Sequence, residues 1–399
     1  MEAYLILADG TTYRGSAIGA VKEVISEVVF NTSMTGYQEV LTDPSYAGQA
    51  VTMTYPLIGN YGICRADMES SRAWPDAFLV RELTHVPGNW RAENTIQNFL
   101  KQQEIPGIAG LDTRALTRHL RSSGTMNGCI TTKWYAGTEK EKLLEKIRSY
   151  SVRGVVKKTT ASGILHPEPE SSEADAGGSA TDPGGSATDA GGSAVRTFPA
   201  DSPAARRAEK YRVALLDVGA KRSIQRALMK LGCEVTVYPS DTAPERILAD
   251  RPDGILISNG PGDPKEDPAL IRNVRVLGDS GVPVFAICLG HQLMALAMGA
   301  DTFRLKYGHR GGNHPVKDLQ TGRVYITSQN HGYAVDPDSM DPAVAREAFR
   351  NVNDGTNEGW VYLDRPVMTV QFHPEASPGP RDSGNLFRKF IEMMEEYHA

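Results

Sequence analysis

Between residues 213 and 287 short apolar runs alternate with helical patterns, and this rhythm narrows the fold more than any other feature. Residues 213–216, 235–238, 254–258 and 282–287 are apolar runs of strand length. Residues 221–231, 244–249 and 269–277 carry helical patterns, the first ending at Gly232. Strands that alternate with helices pair in parallel, because each crossover helix returns the chain to the same edge. The expected second domain is therefore α/β, with a doubly wound, mostly parallel sheet. After about residue 305 the rhythm changes. Residues 360–363 and 367–372 flank Asp364-Arg365-Pro366 and suggest an antiparallel pair, and a last helix is expected over 384–397.

A compositional break divides the chain. From about 159 to 207 it is rich in Ala, Gly, Ser, Asp and Pro, and Gly177-Gly178-Ser179-Ala180-Thr181-Asp182 recurs at 184–189. Such a run has too little apolar surface to offset its ordering entropy. It is expected to be a flexible linker over 158–208, between an N-terminal domain (1–157) and the α/β domain (209–399). The N-terminal part reads as α+β. Residues 4–7 and 12–13 form a hairpin around Asp9-Gly10, residues 24–30 a strand, and 92–103, 112–122 and 138–150 helices.

Composition excludes several classes of function. A net charge of -5 and a pI near 6 give no footprint for nucleic acid. No apolar stretch is long enough to span a membrane, and Met1-Glu2-Ala3-Tyr4 does not open a signal peptide. Cys64, Cys129, Cys233 and Cys288 are scattered without metal-ligand spacing, which suits a reducing, cytoplasmic setting. His309, His314 and His331 lie in polar, Gly-punctuated stretches expected to be loops; without an HxxxH or Cys/His cluster, no metal is expected there.

The chemistry concentrates where apolar runs stop. Cys288 ends the 282–287 run, Gly290 follows two residues later, and 293–298 continues as a helix. A thiol on a sharp strand-to-helix turn has the geometry of a nucleophile elbow, where the helix N-terminus favours a thiolate. A buried core cysteine fits the same segment. A thiol nucleophile needs a base and the base an orienter. His373 follows the apolar strand ending Val370-Gln371-Phe372, at the sheet edge where ligands bind in open α/β folds, and Glu375 lies two residues on. A loop with a helix cap is an equal reading of His373-Pro374-Glu375. Ser258-Asn259-Gly260-Pro261-Gly262-Asp263-Pro264 also follows a strand. Its N–H groups suit an oxyanion or a phosphate, or the segment is a plain turn.

Taken together, Ala286 to Gln292, Ser258 to Pro264 and His373-Pro374-Glu375 resemble the motifs of class I (triad) glutamine amidotransferases. Asn31 to Glu39, Asp43 to Gln49, Gly308 to Pro315 and Pro374 to Pro380 narrow the resemblance to the small, glutamine-hydrolysing subunit family of carbamoyl-phosphate synthetases, over nearly the whole chain except the linker. The resemblance implies that Cys288 attacks the side-chain amide of L-glutamine, that His373 passes protons and that Glu375 orients it. It implies an oxyanion hole of N–H groups from Leu289 and the Gly260–Gly262 loop. Gln292, Asn330, Gly332 and Tyr333, with Ser45 from the other domain, match positions that hold glutamine. No cofactor is implied in this chain, which lacks a P-loop. ATP, magnesium and bicarbonate would belong to a large synthetase subunit, paired with this one as a heterodimer feeding pyrimidine and arginine synthesis.

Three positions depart from the family pattern. Ala286 stands under the elbow where Gly is usual; a methyl group there either fits beneath the turn or strains it. Tyr333 replaces Phe, and its hydroxyl needs a partner if buried. The linker is longer and more repetitive than usual. Two alternatives carry different expectations. An amidotransferase serving another synthetase is opposed by the N-terminal motifs. A catalytically silent regulatory subunit is opposed by the complete Cys288, His373 and Glu375 set.

Overall fold

The computed structural model describes residues 1–168 and 211–398. The N-terminal domain holds strands β1 (Glu2–Leu7), β2 (Thr12–Gly19), β3 (Val24–Asn31), β4 (Gln49–Met53), β5 (Leu57–Ile58), β6 (Ala77–Leu79), β7 (Glu82–Leu83), β8 (Pro106–Ala109) and β9 (Met126–Thr131). Seven of these close a barrel in the order β1-β2-β8-β6-β4-β3-β9, and β5 and β7 form a separate pair. Its helices are α1 (Tyr37–Thr42), α2 (Ile96–Gln102), α3 (Thr113–Ser123), α4 (Gly137–Ser149) and α5 (Val155–Thr159). The expected hairpin is present, with Ile6 opposite Thr12.

Alternation along the barrel strands sorts their residues into separate cores. Val28 and Phe30 pack with Leu5, Ile108 and Leu116 and Leu120 of α3. Their neighbour Val29 packs with Val51, Phe78, Val40 and Leu41 of α1 and Phe99 and Leu100 of α2. Barrel closure was not legible in the sequence, because no single strand records which partner lies across the seam. It is made by β1 and β2 pairing to β9 and β8, far apart in the chain.

The second domain contains β10 (Arg212–Asp217), α6 (Arg222–Lys230), β11 (Glu234–Pro239), α7 (Pro244–Ala249), β12 (Gly254–Ile257), α8 (Pro268–Gly278), β13 (Val284–Ile287), α9 (Leu289–Ala297), β14 (Thr302–Asp318), β15 (Val324–Val335), β16 (Ala345–Asn351), β17 (Asn357–Tyr362), β18 (Val367–Val370) and α10 (Asn385–Tyr397). They build one nine-stranded sheet, ordered β11-β10-β12-β13-β18-β17-β16-β14-β15. Ala214, Leu216, Ile255, Ile257, Val284 and Ala286 pack toward α7, α8 and α9. The alternate residues Val213, Leu215, Leu256, Phe285 and Ile287 pack toward α6 and α10.

The sheet is mixed rather than mostly parallel. The pairings from β11 through β18 are parallel, and those from β18 through β15 are antiparallel. The difference lies in the long β14–β15 hairpin, whose Gly-punctuated segments around His309 and His331 were expected to be loops. They are strands interrupted by bulges between Arg304 and His309 and between Gly311 and His314. The glycines mark those irregularities rather than an end to pairing.

Part of the segment assigned to a linker is bonded to the second domain. Thr160 Oγ1 donates to the Asp217 carbonyl, the Ala161 N–H to Asp217 Oδ2 at 2.7 Å, and Leu165 pairs main chain to main chain with Val237 of the edge strand β11. An open strand edge accepts any backbone that reaches it, so composition is a poor guide there. Residues 169–208 of that assignment lie outside the described residues.

Phe390 is fully buried on α10 and packs on Phe285, at a ring-centroid distance of 5.8 Å. Phe390→Ala should destabilise the second domain by about 3–5 kcal/mol, measured as a lower denaturation midpoint, while Cys129 of the barrel stays protected at intermediate denaturant.

Candidate active site

Three strands of the parallel half meet at Cys288. β13 is wholly buried and ends there, and Cys288 is the N-cap residue of α9 with φ 55° and ψ −105°. A non-glycine residue at positive φ is strained and persists only where its surroundings hold it. Here the Cys288 N–H donates to the Val370 carbonyl of β18 at 2.8 Å, and the Gly290 N–H to the Ser258 carbonyl at 3.1 Å. A Cβ on Gly290 would stand 2.5 Å from the Ile257 carbonyl oxygen, so only glycine lets α9 start so close to the end of β12. The helix therefore begins at Leu289, four residues earlier than its pattern suggested. Of the two readings of Ala286, the register agrees with a methyl group that fits. Ala286 is buried in the core that faces α8 and α9, and pairs in line with Ile257 and Thr369.

Behind the thiol lies a buried charged chain. The His373 N–H donates to Ser328 and holds the loop against β15. Its Nδ1 meets Glu375 Oε1 at 2.6 Å, and the same oxygen accepts from Lys221 Nζ at 2.7 Å. All three side chains are nearly or fully buried. His373 Nε2 is buried without a hydrogen bond of good geometry, and Cys288 is its neighbour. Burial alone lowers the His373 pKa; the Glu375 carboxylate outweighs it, so the imidazole titrates well above its usual range. Glu375 moves the other way: burial raises it, but Lys221 and His373 hold it below the ordinary carboxylate range. The ring thus carries a proton through neutral pH beside Cys288, whose thiol donates to the Asn330 carbonyl at 3.8 Å. Lys221 was not found from the sequence, where it marked only the start of a helix.

In front of the thiol is a cavity of about 660 Å³. Cys288, Leu289 and Gln292 line it from the elbow, Gly260 and Gly262 from the loop after β12, and Asn330, Gly332 and Tyr333 from β15. Ser45 reaches it from the N-terminal domain. The local cause is Asp43-Pro44-Ser45: Asp43 caps a 3-10 turn, accepting from the Ser45 N–H at 2.9 Å, and Pro44 takes the first helical position. Asn259 Nδ2 donates to Ser45 Oγ at 2.9 Å, and Asn330 Nδ2 to Asp43 Oδ2 at 3.0 Å, so both domains build the wall. Gln292 is braced by its Nε2 donating to the Tyr333 carbonyl and to Gln371 Oε1. The half-buried Tyr333 hydroxyl has Asp263 as its partner; burial and that carboxylate push its pKa up to about 12. Arg310, fully buried, also lines the cavity, as does Arg304, which pairs with Glu27 across the domains. Neither was a site candidate in the sequence.

His309, His331 and Glu358 offer donor atoms within 4.8 Å of one another, the single group of that kind among the described residues. They are hydrogen-bonded strand residues rather than loop histidines. His309 Nε2 meets Asp354 Oδ2 at 2.7 Å, and its Nδ1 lies 3.8 Å from Glu358 Oε1. Burial lowers the His309 pKa, but the two carboxylates raise it overall. His309 therefore sits between two acidic side chains, and burial pushes Glu358 up to about 7.

A thiol on a strained elbow, a histidine behind it held by a buried carboxylate and a polar cavity in front lie together in the α/β domain, and the comparisons give that domain its class, glutamine amidotransferase. Residues 214–393 match the family described as glutamine amidotransferase class-I. Residues 5–130 match the carbamoyl-phosphate synthase small chain, CPSase domain. A carbamoyl phosphate synthase small chain from Listeria monocytogenes is 48% identical over 98% of this chain and 96% of its own length. One from Syntrophotalea carbinolica is 45% identical over 99% and 98%, and one from Bacillus caldolyticus 44% over 100% and 98%. The chain belongs to the carbamoyl-phosphate synthase small-chain family, as a glutamine amidotransferase component.

Two outcomes follow from the buried chain of charges. Lys221→Met leaves Glu375 with one partner, and breaking a buried pair this way should destabilise the fold by about 3–5 kcal/mol, read from denaturant midpoints. The raised His373 pKa sets a second. Its stabilisation is complete below the ordinary histidine value of 6.5 and is lost as pH rises toward about 10. The stability difference between the native chain and His373→Asn should therefore shrink across that window.

Proposed function

We infer that this chain hydrolyses L-glutamine through a Cys288, His373 and Glu375 triad and delivers ammonia to a large synthetase partner. The observation that carries the reading is the Cys288 thiol, strained on its elbow between the cavity and a protonated His373. Sγ attacks the side-chain carboxamide carbon as the thiolate whose proton the His373 imidazolium holds, and the carbonyl oxygen takes the negative charge. N–H groups of Leu289 and of the Gly260–Gly262 loop face that oxygen; one such donor is typically worth about 3 kcal/mol. Amide nitrogen is a poor leaving group, so His373 Nε2 protonates it as the C–N bond breaks. Ammonia departs and a γ-glutamyl thioester remains on Cys288. Water then attacks the thioester, His373 takes its proton, the C–S bond breaks and glutamate leaves. Glu375 holds the ring by Nδ1 throughout. Ser45, Gln292, Asn330, Gly332 and Tyr333 hold the substrate.

The chain has no ATP-handling motif, so carbamoyl phosphate formation falls to a large subunit using ATP, magnesium and bicarbonate. A sheltered passage between the sites suits ammonia, which is mostly protonated in bulk water and then no nucleophile. A reducing, cytoplasmic setting keeps the catalytic thiol free. Among the described residues no helix is long and apolar enough to cross a membrane.

The purified full-length chain should release glutamate from glutamine, faster with its partner present. Cys288→Ala should lower that turnover by about a thousandfold or more. Unchanged turnover in the variant removes the mechanism. A pull-down at native expression should recover a large ATP-binding chain, and recovery of an unrelated synthetase instead would reassign the ammonia.

A further inference from the structure

The active-site lysine sits at the start of α6 with nothing on its own helix to cap it. Lys221 is the N-cap residue and makes no side-chain cap hydrogen bond. The first N–H groups of a helix need acceptors from elsewhere. Here they come from the other domain. The Arg222 N–H donates to the Glu69 carbonyl at 2.7 Å, and the Ser223 N–H to Glu69 Oε2 at 3.2 Å. The Ser223 hydroxyl donates to the same carboxylate oxygen. Glu69 is itself anchored, its N–H donating to Thr42 Oγ1 of α1 at 2.9 Å. On the other flank the Lys221 N–H donates to Asn259 Oδ1 at 3.2 Å, and Asn259 reaches Ser45.

Charge follows the same route. Lys221 is fully buried, a state that burial alone would disfavour for an ammonium. Glu375, Glu69 and Asp43 supply the opposing field and keep it charged. Two of those three carboxylates belong to the N-terminal domain. Glu69 is 2% exposed and Ser223 8%, so water screens little of this. The other groups facing the cluster are Glu39 on α1 and Asp67 beside it, with His373 and Cys288 beyond Glu375.

We propose that Glu69 is a positioning residue for glutamine hydrolysis. By capping α6 across the domain interface and balancing the charge of Lys221, it sets the Lys221–Glu375–His373 chain that aims the catalytic base. The N-terminal domain then does more than complete the substrate wall. Any movement of the segment carrying Glu69 is felt at His373 through two ion-paired side chains. The proposal rests on the triad reading above.

Glu69→Gln keeps the size and an acceptor but removes the charge. Its kcat for glutamate release by the full-length chain should fall roughly tenfold to a hundredfold, the range seen when a metal-bound histidine loses its outer hydrogen-bond partner. KM for glutamine should stay within about twofold, because Glu69 lies outside the cavity. Removing a negative charge near the Lys221 ammonium lowers the His373 pKa, so the alkaline limb of the kcat profile should move to lower pH. Glu69→Asp, which keeps the charge, should restore that limb. Equal kcat and an unmoved limb in folded Glu69→Gln overturn the proposal. If that variant does not fold, Ser223→Ala removes one contact to Glu69 and should show the same KM-against-kcat split; an unchanged kcat there also overturns it. Wild-type protein that releases no glutamate, or Cys288→Ala that still does, defeats the triad reading instead.

Discussion

The ion pair between Lys221 and Glu375, 2.7 Å long and shut off from water, is what the rest of the site depends on. A buried carboxylate without a partner would take up a proton and cease to hold a histidine. With Lys221 beside it, Glu375 stays ionised and keeps His373 charged and oriented. A buried lysine has the converse problem, and its answer lies partly in the other domain, where Asp43 and Glu69 face it. The domains are thus bound together by charges that neither could bury alone. The same interface carries Asn259 to Ser45 and Asn330 to Asp43, both hydrogen bonds in the wall of the cavity.

The elbow at Cys288 shows how a strained residue is afforded by its surroundings. Backbone bonds to β18 and to the end of β12 fix its ends, and Gly290 opens the space that α9 needs. Ala286 does not disturb this arrangement, because its methyl points into the apolar layer under α8 and α9, two residues from the strained φ. The thiol faces a polar cavity while its strand remains in the core. A thiol so placed meets the cavity on one side and His373 on the other.

Much of this was legible in the primary structure, for definable reasons. Strands 213–216 and 254–258 and the helix at 244–249 announce themselves because both strand faces are buried and the helix opens at Pro244. Motif residues are legible because they sit where apolar runs stop. What escaped depends on distant pairing. The barrel closes through strands separated by most of the domain. The 306–315 and 328–333 stretches look like loops, since bulged strands tolerate glycine and polar residues when each is hydrogen-bonded across the hairpin. Residues 159–166 look like linker, since backbone pairing at an edge strand asks nothing of side chains.

By itself the sequence determined the two-domain division and the strand–helix rhythm of the second domain, and it marked Cys288, His373 and Glu375 as the residues on which a triad is proposed. These are local properties: periodicity, turn chemistry, and residue types at the ends of strands. Only the tertiary structure decided what surrounds them. Lys221 and Glu69 lie 152 positions apart in the chain, and neither carries a local signal of function. Their roles arise because burial makes an unbalanced charge intolerable, and the balancing group can come from any part of the chain that folding brings within reach.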